Sequence, residues 1–246
     1  MSKDQKQAWL DYSKGITIEH IKKAYNNPTS FQAEFNVVLN KLVSENNLQS
    51  AIEIGCEAGI SLMLLNKSLS QSAFLDYDHT ILEKVEIVCS DLKFKGTKCI
   101  CEDMFTMNSI PNESYDLAYN SGVIEHYTKD IREKAIKSYT RITKKGGYVI
   151  VAYPNHHTFP YRLSYLIGRM LGKKVWPWPK EYKFYDLKDE MKAAGLNYIS
   201  RTTMDRDTLF KQWVTKYKIT RKFFLFLDKF MHFEGYLTVC IAQKPV

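Results

Sequence analysis

No stretch of this chain comes near the roughly 20 consecutive apolar residues that a membrane-spanning helix needs. The N-terminus, MSKDQKQAWLDY, has no apolar signal region, so export is not expected. Cysteine is scarce. The five residues Cys56, Cys89, Cys99, Cys101 and Cys240 make an odd number at no disulfide-like spacing. Cys99 and Cys101 have the spacing of a C-x-C metal pair. They fall in an expected strand, where residues two apart share a face and buried cysteine is common, so plain packing in a reducing cytoplasm is the reading. No internal repeat or low-complexity tract interrupts the chain. A length of 246 residues suffices for one α/β domain, 1–246, with a lid. Acidic residues are outnumbered, 27 against 35 basic, and the net charge of +8 favours an anionic partner: nucleic acid, a membrane surface or an acidic metabolite.

The most informative segment present is Ala51-Ile52-Glu53-Ile54-Gly55-Cys56-Glu57-Ala58-Gly59. It reads as a buried strand that ends in a glycine turn and enters a helix at Ile60. Glycines at 55 and 59 let the backbone turn sharply and let a ligand lie against bare main chain. A second apolar strand, Ala73-Phe74-Leu75, ends at Asp76, where a carboxylate can accept from both hydroxyls of a ribose. Strands are expected near 50–54, 73–76, 97–101, 115–120 and 147–153, with helices near 59–69, 79–91 and 125–141. That alternation argues a parallel sheet covered on both faces. Residues 4–46 read as helices, with a break and N-cap at Pro28-Thr29-Ser30. After Pro154 the alternation lapses until a helix near 184–194, a strand near 197–203, a long helical stretch to about 232 and a strand near 235–243.

A nicotinamide-binding turn wants G-x-G-x-x-G, whereas this chain has G-x-x-x-G. The pieces EIGCEAG (53–59), FLDYDHTILEKV (74–85), CEDMF (101–105), SYDLAYNSGVIEHY (114–127) and KKGGYVIVAYPN (144–155) follow in order. Together they resemble the class I S-adenosylmethionine-dependent methyltransferases, in particular the type 11 small-molecule group. The departure is Glu57, which replaces the usual middle glycine; its side chain is expected to point away, exposed, with its N–H toward the ligand. The resemblance implies a Rossmann-like seven-stranded sheet of order 3-2-1-4-5-7-6, with the last strand antiparallel. It implies S-adenosyl-L-methionine as cofactor and S-adenosyl-L-homocysteine as product. It places the cofactor on Glu53, Gly55, Cys56, Gly59, Asp76, Tyr77, Asp103, Met104, Asn120 and Ser121. Glu53 orders the loop or accepts from the methionine ammonium, Asp76 holds the ribose, and Asp103-Met104 meet the adenine.

Methyl transfer from a sulfonium needs alignment more than acid–base help. Where a base is needed, His126, at the start of the helix after the fourth strand, is the first candidate and His156 a second. His156 and His157 follow the fifth strand on the acceptor side, where two adjacent loop histidines more often read as merely exposed. Metal-using relatives carry an acidic residue three positions before the Glu-His pair. Gly122 stands there in this chain, so no metal is expected. The turn Asn120-Ser121-Gly122-Val123 lacks the N-P-P-Y type pattern of enzymes acting on DNA or protein amides, and no RNA-binding module is evident.

Two segments exceed the minimal fold: a helical lid at 1–48 and an insertion after strand 5 at 154–183. Between Tyr153 and Lys180 there is no acidic residue, while Arg162, Arg169, Lys173, Lys174 and Lys180 alternate with Phe159, Tyr161, Tyr165, Trp176 and Trp178. An aromatic pocket with a basic rim follows, suited to O- or N-methylation of an anionic or aromatic metabolite. Lid and insertion, with Trp9, Tyr12 and Tyr25, are expected to close together over the cofactor. The stretch from Lys216 to Phe226 could rest on an anionic membrane, but packing of its aromatic face on the domain is the preferred reading. Two other functions stay open: a non-catalytic cofactor-binding regulatory or assembly protein, and an RNA methyltransferase.

Overall fold

The computed structural model describes residues 3–172, 181–210 and 217–246. Helices α1 (Lys3–Lys14), α2 (Ile18–Asn26) and α3 (Ser30–Glu45) precede β1 (Ser50–Ile54), α4 (Ile60–Leu65) and β2 (Gln71–Asp76). There follow α5 (His79–Asp91), β3 (Thr97–Cys101), β4 (Tyr115–Ser121), α6 (Lys129–Ile142) and β5 (Thr143–Pro154). The chain continues through α7 (Phe159–Met170), α8 (Lys188–Ala193), β6 (Asn197–Met204), α9 (Arg206–Leu209), α10 (Lys218–Met231) and β7 (Leu237–Gln243). The strands form one sheet in the order β3-β2-β1-β4-β5-β7-β6, and β7 runs antiparallel to both of its neighbours. This is the expected Rossmann-like topology. Among the described residues no helix is long and apolar enough to cross a membrane.

Alternation along the strands decides what each face holds. Ile52 and Ile54 of β1 join Ala73, Leu75, Ala118 and Val149 under α6 and α8. Ala51 points the other way, with Phe74, Leu117 and Tyr119, under α2 to α5. On that face α3 buries Phe35, Leu39 and Val43, one every fourth residue. Each such side chain, taken fully out of water, contributes about 1.5–3 kcal/mol. Thr17 and Thr29 start α2 and α3 with capping boxes, each hydroxyl accepting from the backbone N–H of the third helical residue.

Three departures concern the segments around the sheet. Helix α7 lies inside the insertion, where no helix was expected. It buries Tyr161 in a small cluster with Leu209, Phe210, Phe224 and Phe233. Phe159 packs against Phe224 and Phe233, with ring centroids at 5.9 and 6.0 Å. Phe159 and Tyr161 of the insertion thus pack with α10 instead of lining a pocket. Trp176, Trp178, Lys173, Lys174 and Lys180 lie outside the described residues, as does Lys216. Helix α10 buries only Phe224 among its described residues and exposes Ile219, Phe223, Phe226, Phe230 and Met231. Of its aromatic face, expected to pack on the domain, only Phe224 does so, against Phe159 and Phe233. In β3, Cys99 is half-buried and Cys101 exposed. The strand is an edge of the sheet, which leaves that face partly uncovered.

Candidate functional site

A cavity of about 450 Å3 opens above the C-terminal ends of β1 to β5, where open α/β sheets bind ligands. The turn after β1 supplies Gly55 and Glu57, and the end of β2 supplies Asp76 and Tyr77. Behind β3 come Glu102, Asp103, Met104 and Phe105, and behind β4 come Ser121, Gly122, Val123, Glu125, His126 and Tyr127. Helix α1 roofs it with Lys6, Trp9 and Ser13, while Pro154, Glu181 and Tyr236 close the far side.

The turn after β1 is built by hydrogen bonds to β2. The N–H groups of Gly55 and Cys56 both donate to the Leu75 carbonyl, at 2.8 and 3.0 Å. Asp76 completes it: Oδ2 accepts from the Glu57 N–H and Oδ1 from the Asp78 N–H, each at 3.0 Å. Gly55 has φ +69°, and a Cβ there would lie 2.7 Å from Val123 Cγ2. Any side chain would push into the loop after β4. Asp103 caps its own turn, Oδ1 accepting from the Phe105 N–H at 2.9 Å, beside Met104.

Seven of the expected site residues therefore line one cavity: Gly55, Asp76, Tyr77, Asp103, Met104, Ser121 and His126. Five do not. Glu53 shares its strand face with Ala51 and lies beneath α4, 5% exposed, accepting from the Leu62 N–H at 3.2 Å beside Tyr119. Burial pushes its carboxyl up to about 8. Cys56 is buried beside the turn. Gly59 is glycine for packing, since a Cβ would meet the Phe74 ring at 2.6 Å. Asn120 is fully buried and donates from Nδ2 to the Ile54 carbonyl at 2.7 Å, tying β4 to β1. His156, 5% exposed, sits behind Glu181 with Nε2 at 2.9 Å from Oε2.

Glu57 is not the exposed, outward side chain expected. At φ +49° its backbone turns the carboxylate into the cavity. Its N–H serves Asp76 and not the ligand. Burial and the neighbouring Asp76 push its carboxyl up to about 7, against the opposing contact from Tyr12 of α1. His126 does not start a helix. It lies in a 3-10 turn, Ile124–His126, before α6, edge-on to Trp9 at 5.6 Å between centroids. His157 is exposed.

The residues that sequence reasoning missed are mostly acidic. Glu125 is 2% exposed, and burial with the nearby charge of Glu181 pushes its carboxyl up to about 8. Its Oε2 has no hydrogen-bond partner among the described residues. The chain is pinned here by the Tyr182 N–H, which donates to the Glu125 carbonyl at 2.7 Å. Glu181 carried a signal in the sequence: it is the first acid after the acid-free run from Tyr153 to Lys180. Six acidic residues (Glu57, Asp76, Glu102, Asp103, Glu125, Glu181) thus line the cavity with one lysine, Lys6, among the described lining residues. Arg162 and Arg169, expected to rim the acceptor, are exposed and do not line it. No group of three His, Cys, Asp or Glu side chains among the described residues is arranged to hold a metal ion.

A methyltransferase-domain family model matches residues 52–151. A phosphoethanolamine N-methyltransferase of Arabidopsis thaliana is 24% identical over 149 residues, 59% of this chain; the chain spans 29% of that protein's length. Among solved structures, an S-adenosylmethionine-dependent methyltransferase of Clostridium acetobutylicum superposes with a TM-score of 0.60 at 13% identity, over 90% of this chain and 94% of that one. A Haloferax volcanii methyltransferase solved in complex with the Trm112 methyltransferase activator gives 0.62 at 11% identity, over 100% and 99%.

Proposed function

We propose, from the premise that this chain has the fold and the domain of class I S-adenosylmethionine-dependent methyltransferases, that it methylates a small molecule inside the cavity above β1 to β5. The observation that carries the reading is Asp76, a carboxylate 8% exposed at the tip of β2, facing the cavity across from Asp103 and Met104. Asp76 would hold the ribose hydroxyls of the donor, Asp103 its adenine amine and Met104 the ring face. The bound donor supplies an activated methyl on a sulfonium; the residues here bind, orient and exclude water. A cavity of about 450 Å3 suits a small acceptor, and its acidic lining would repel an RNA backbone. The five free cysteines support a cytoplasmic setting. Calorimetry tests the reading: both S-adenosylmethionine and S-adenosylhomocysteine are expected to bind, and NADH is not. Tight NADH binding with neither adenosyl ligand bound sinks it.

Helix α1 is the part of the N-terminal segment that would act as a lid. Lys6, Trp9 and Ser13 line the cavity. The helix is held by Lys84, whose Nζ donates to the carbonyls of Ser13 and Ile16 at 3.2 and 2.6 Å. Tyr25 does not join it; its ring packs on Phe94 instead. Hydrogen exchange should therefore show protection of residues 6–14 on S-adenosylhomocysteine binding, with 18–26 unchanged. Protection confined to the loops at Gly55, Asp76 and Asp103 would make α1 a fixed wall.

A further inference from the structure

We infer that the acceptor is an amine, seated between the carboxylates of Glu125 and Glu181 at the β4 end of the cavity. The inference rests on the methyltransferase reading and names its substrate class. Four of the six lining carboxylates, Glu57, Asp76, Glu102 and Asp103, belong to the loops after β1, β2 and β3. Glu125 and Glu181 are left over on the opposite side, close enough that the charge of one acts on the other. The Glu125 Oε1 lies 3.9 Å from the position a Cβ would take on Gly122, immediately beyond β4.

Burying a carboxylate without a partner is costly, and no described residue partners Glu125 Oε2. Such an atom wants a donor, and an ammonium offers up to three. Trp9, Tyr127 and Tyr236 line the same cavity, and aromatic faces attract cations. To hold an acceptor carboxylate or phosphate, no described arginine or lysine lines the cavity besides Lys6 of α1, whose Nζ lies over the Tyr77 ring at 5.3 Å.

The chemistry balances. One carboxylate takes a proton from the ammonium and leaves a neutral amine. The nitrogen lone pair forms the new nitrogen–carbon bond as the methyl carbon–sulfur bond breaks. The electron pair of that bond stays on sulfur, giving a neutral thioether, and the positive charge passes to the methylated nitrogen. His156, against Glu181, is then a positioning residue that holds the carboxylate toward the cavity.

The test compares two probes of one shape and opposite charge on the full chain loaded with S-adenosylhomocysteine. These are tyramine and 3-(4-hydroxyphenyl)propionate. Tyramine should bind at least about tenfold more tightly, the fold-change of one charge-assisted hydrogen bond. Glu125→Gln with Glu181→Gln should erase that preference and leave S-adenosylhomocysteine affinity within about twofold. Equal or reversed preference in the unmodified protein overturns the inference, and needs no variant to fold. A double variant that loses cofactor affinity but keeps the preference also overturns it, placing both carboxylates on the cofactor. Failure of the methyltransferase reading shows earlier and separately, as no S-adenosylhomocysteine binding before any amine is added.

Discussion

Asp76→Ala should lower S-adenosylhomocysteine affinity by at least about tenfold, because a hydrogen bond to a charged group is worth about 1.5–3 kcal/mol. Two losses combine. The ribose hydroxyls lose their acceptor, and the Glu57 and Asp78 N–H groups lose theirs, at 3.0 Å each. The second loss loosens the turn that carries Gly55 and Glu57, so the effect exceeds that of a contact made by an isolated side chain. Asp76→Asn separates the two, since its amide oxygen keeps one turn bond while the charge is gone. Calorimetry on folded protein is the measurement. Alanine at 76 with unchanged affinity would remove this carboxylate from the cofactor site.

Stability is expected to fall as pH rises from about 5 to 8. Three glutamates are raised on folding, Glu53 and Glu125 to about 8 and Glu57 to about 7 against 4.5 as their ordinary value, and burial raises Asp76 as well. Between those limits the folded chain holds protons that the unfolded chain has released. The slope of unfolding free energy with pH is then negative, at most about 1.4 kcal/mol per unit for each group. Glu234 works the other way, held down to about 2 by Arg201, so its contribution is lost as pH falls below 4.5. A maximum near pH 5 results. Glu53→Gln supplies the clean test. Glutamine keeps an acceptor for the Leu62 N–H and cannot ionise. The variant should gain on the order of 2 kcal/mol over the parent at pH 8 and almost nothing at pH 5. Urea unfolding at the two values decides. A difference that does not change with pH would mean Glu53 is ionised in the folded state.

Local signals carried most of the sheet. Short apolar runs, interrupted by Glu53 in β1 and Asp116 in β4, marked β1, β2 and β4, and Thr29 marked the start of α3. Helix α7 escaped in the stretch after Pro154 where the alternation lapses, and it carries two residues that break most helices, Pro160 and Gly168. The proline falls in the first turn, where its missing N–H costs nothing, and the glycine is buried. The side of Glu53 was legible by parity: it stands two residues from Ala51, and so shares that inward face and not the cavity. The direction of Glu57 was not, because it depends on a left-handed backbone at a non-glycine residue. The meeting of Glu125 with Glu181 was hidden for another reason. It is set by a backbone hydrogen bond between a turn after β4 and a strand-free segment far along the chain, and no local pattern encodes such a pairing.

The raised carboxyls of Glu57 and Glu125 also make the cavity a small store of protons. When a cation settles beside them, its field favours their ionised forms, and protons must leave for solvent. Arrival of a positively charged guest at neutral pH is then an exchange of one kind of cation for another. Its apparent heat depends on the ionisation enthalpy of the buffer, and its grip tightens as pH rises toward 8, over the same interval in which the fold itself weakens.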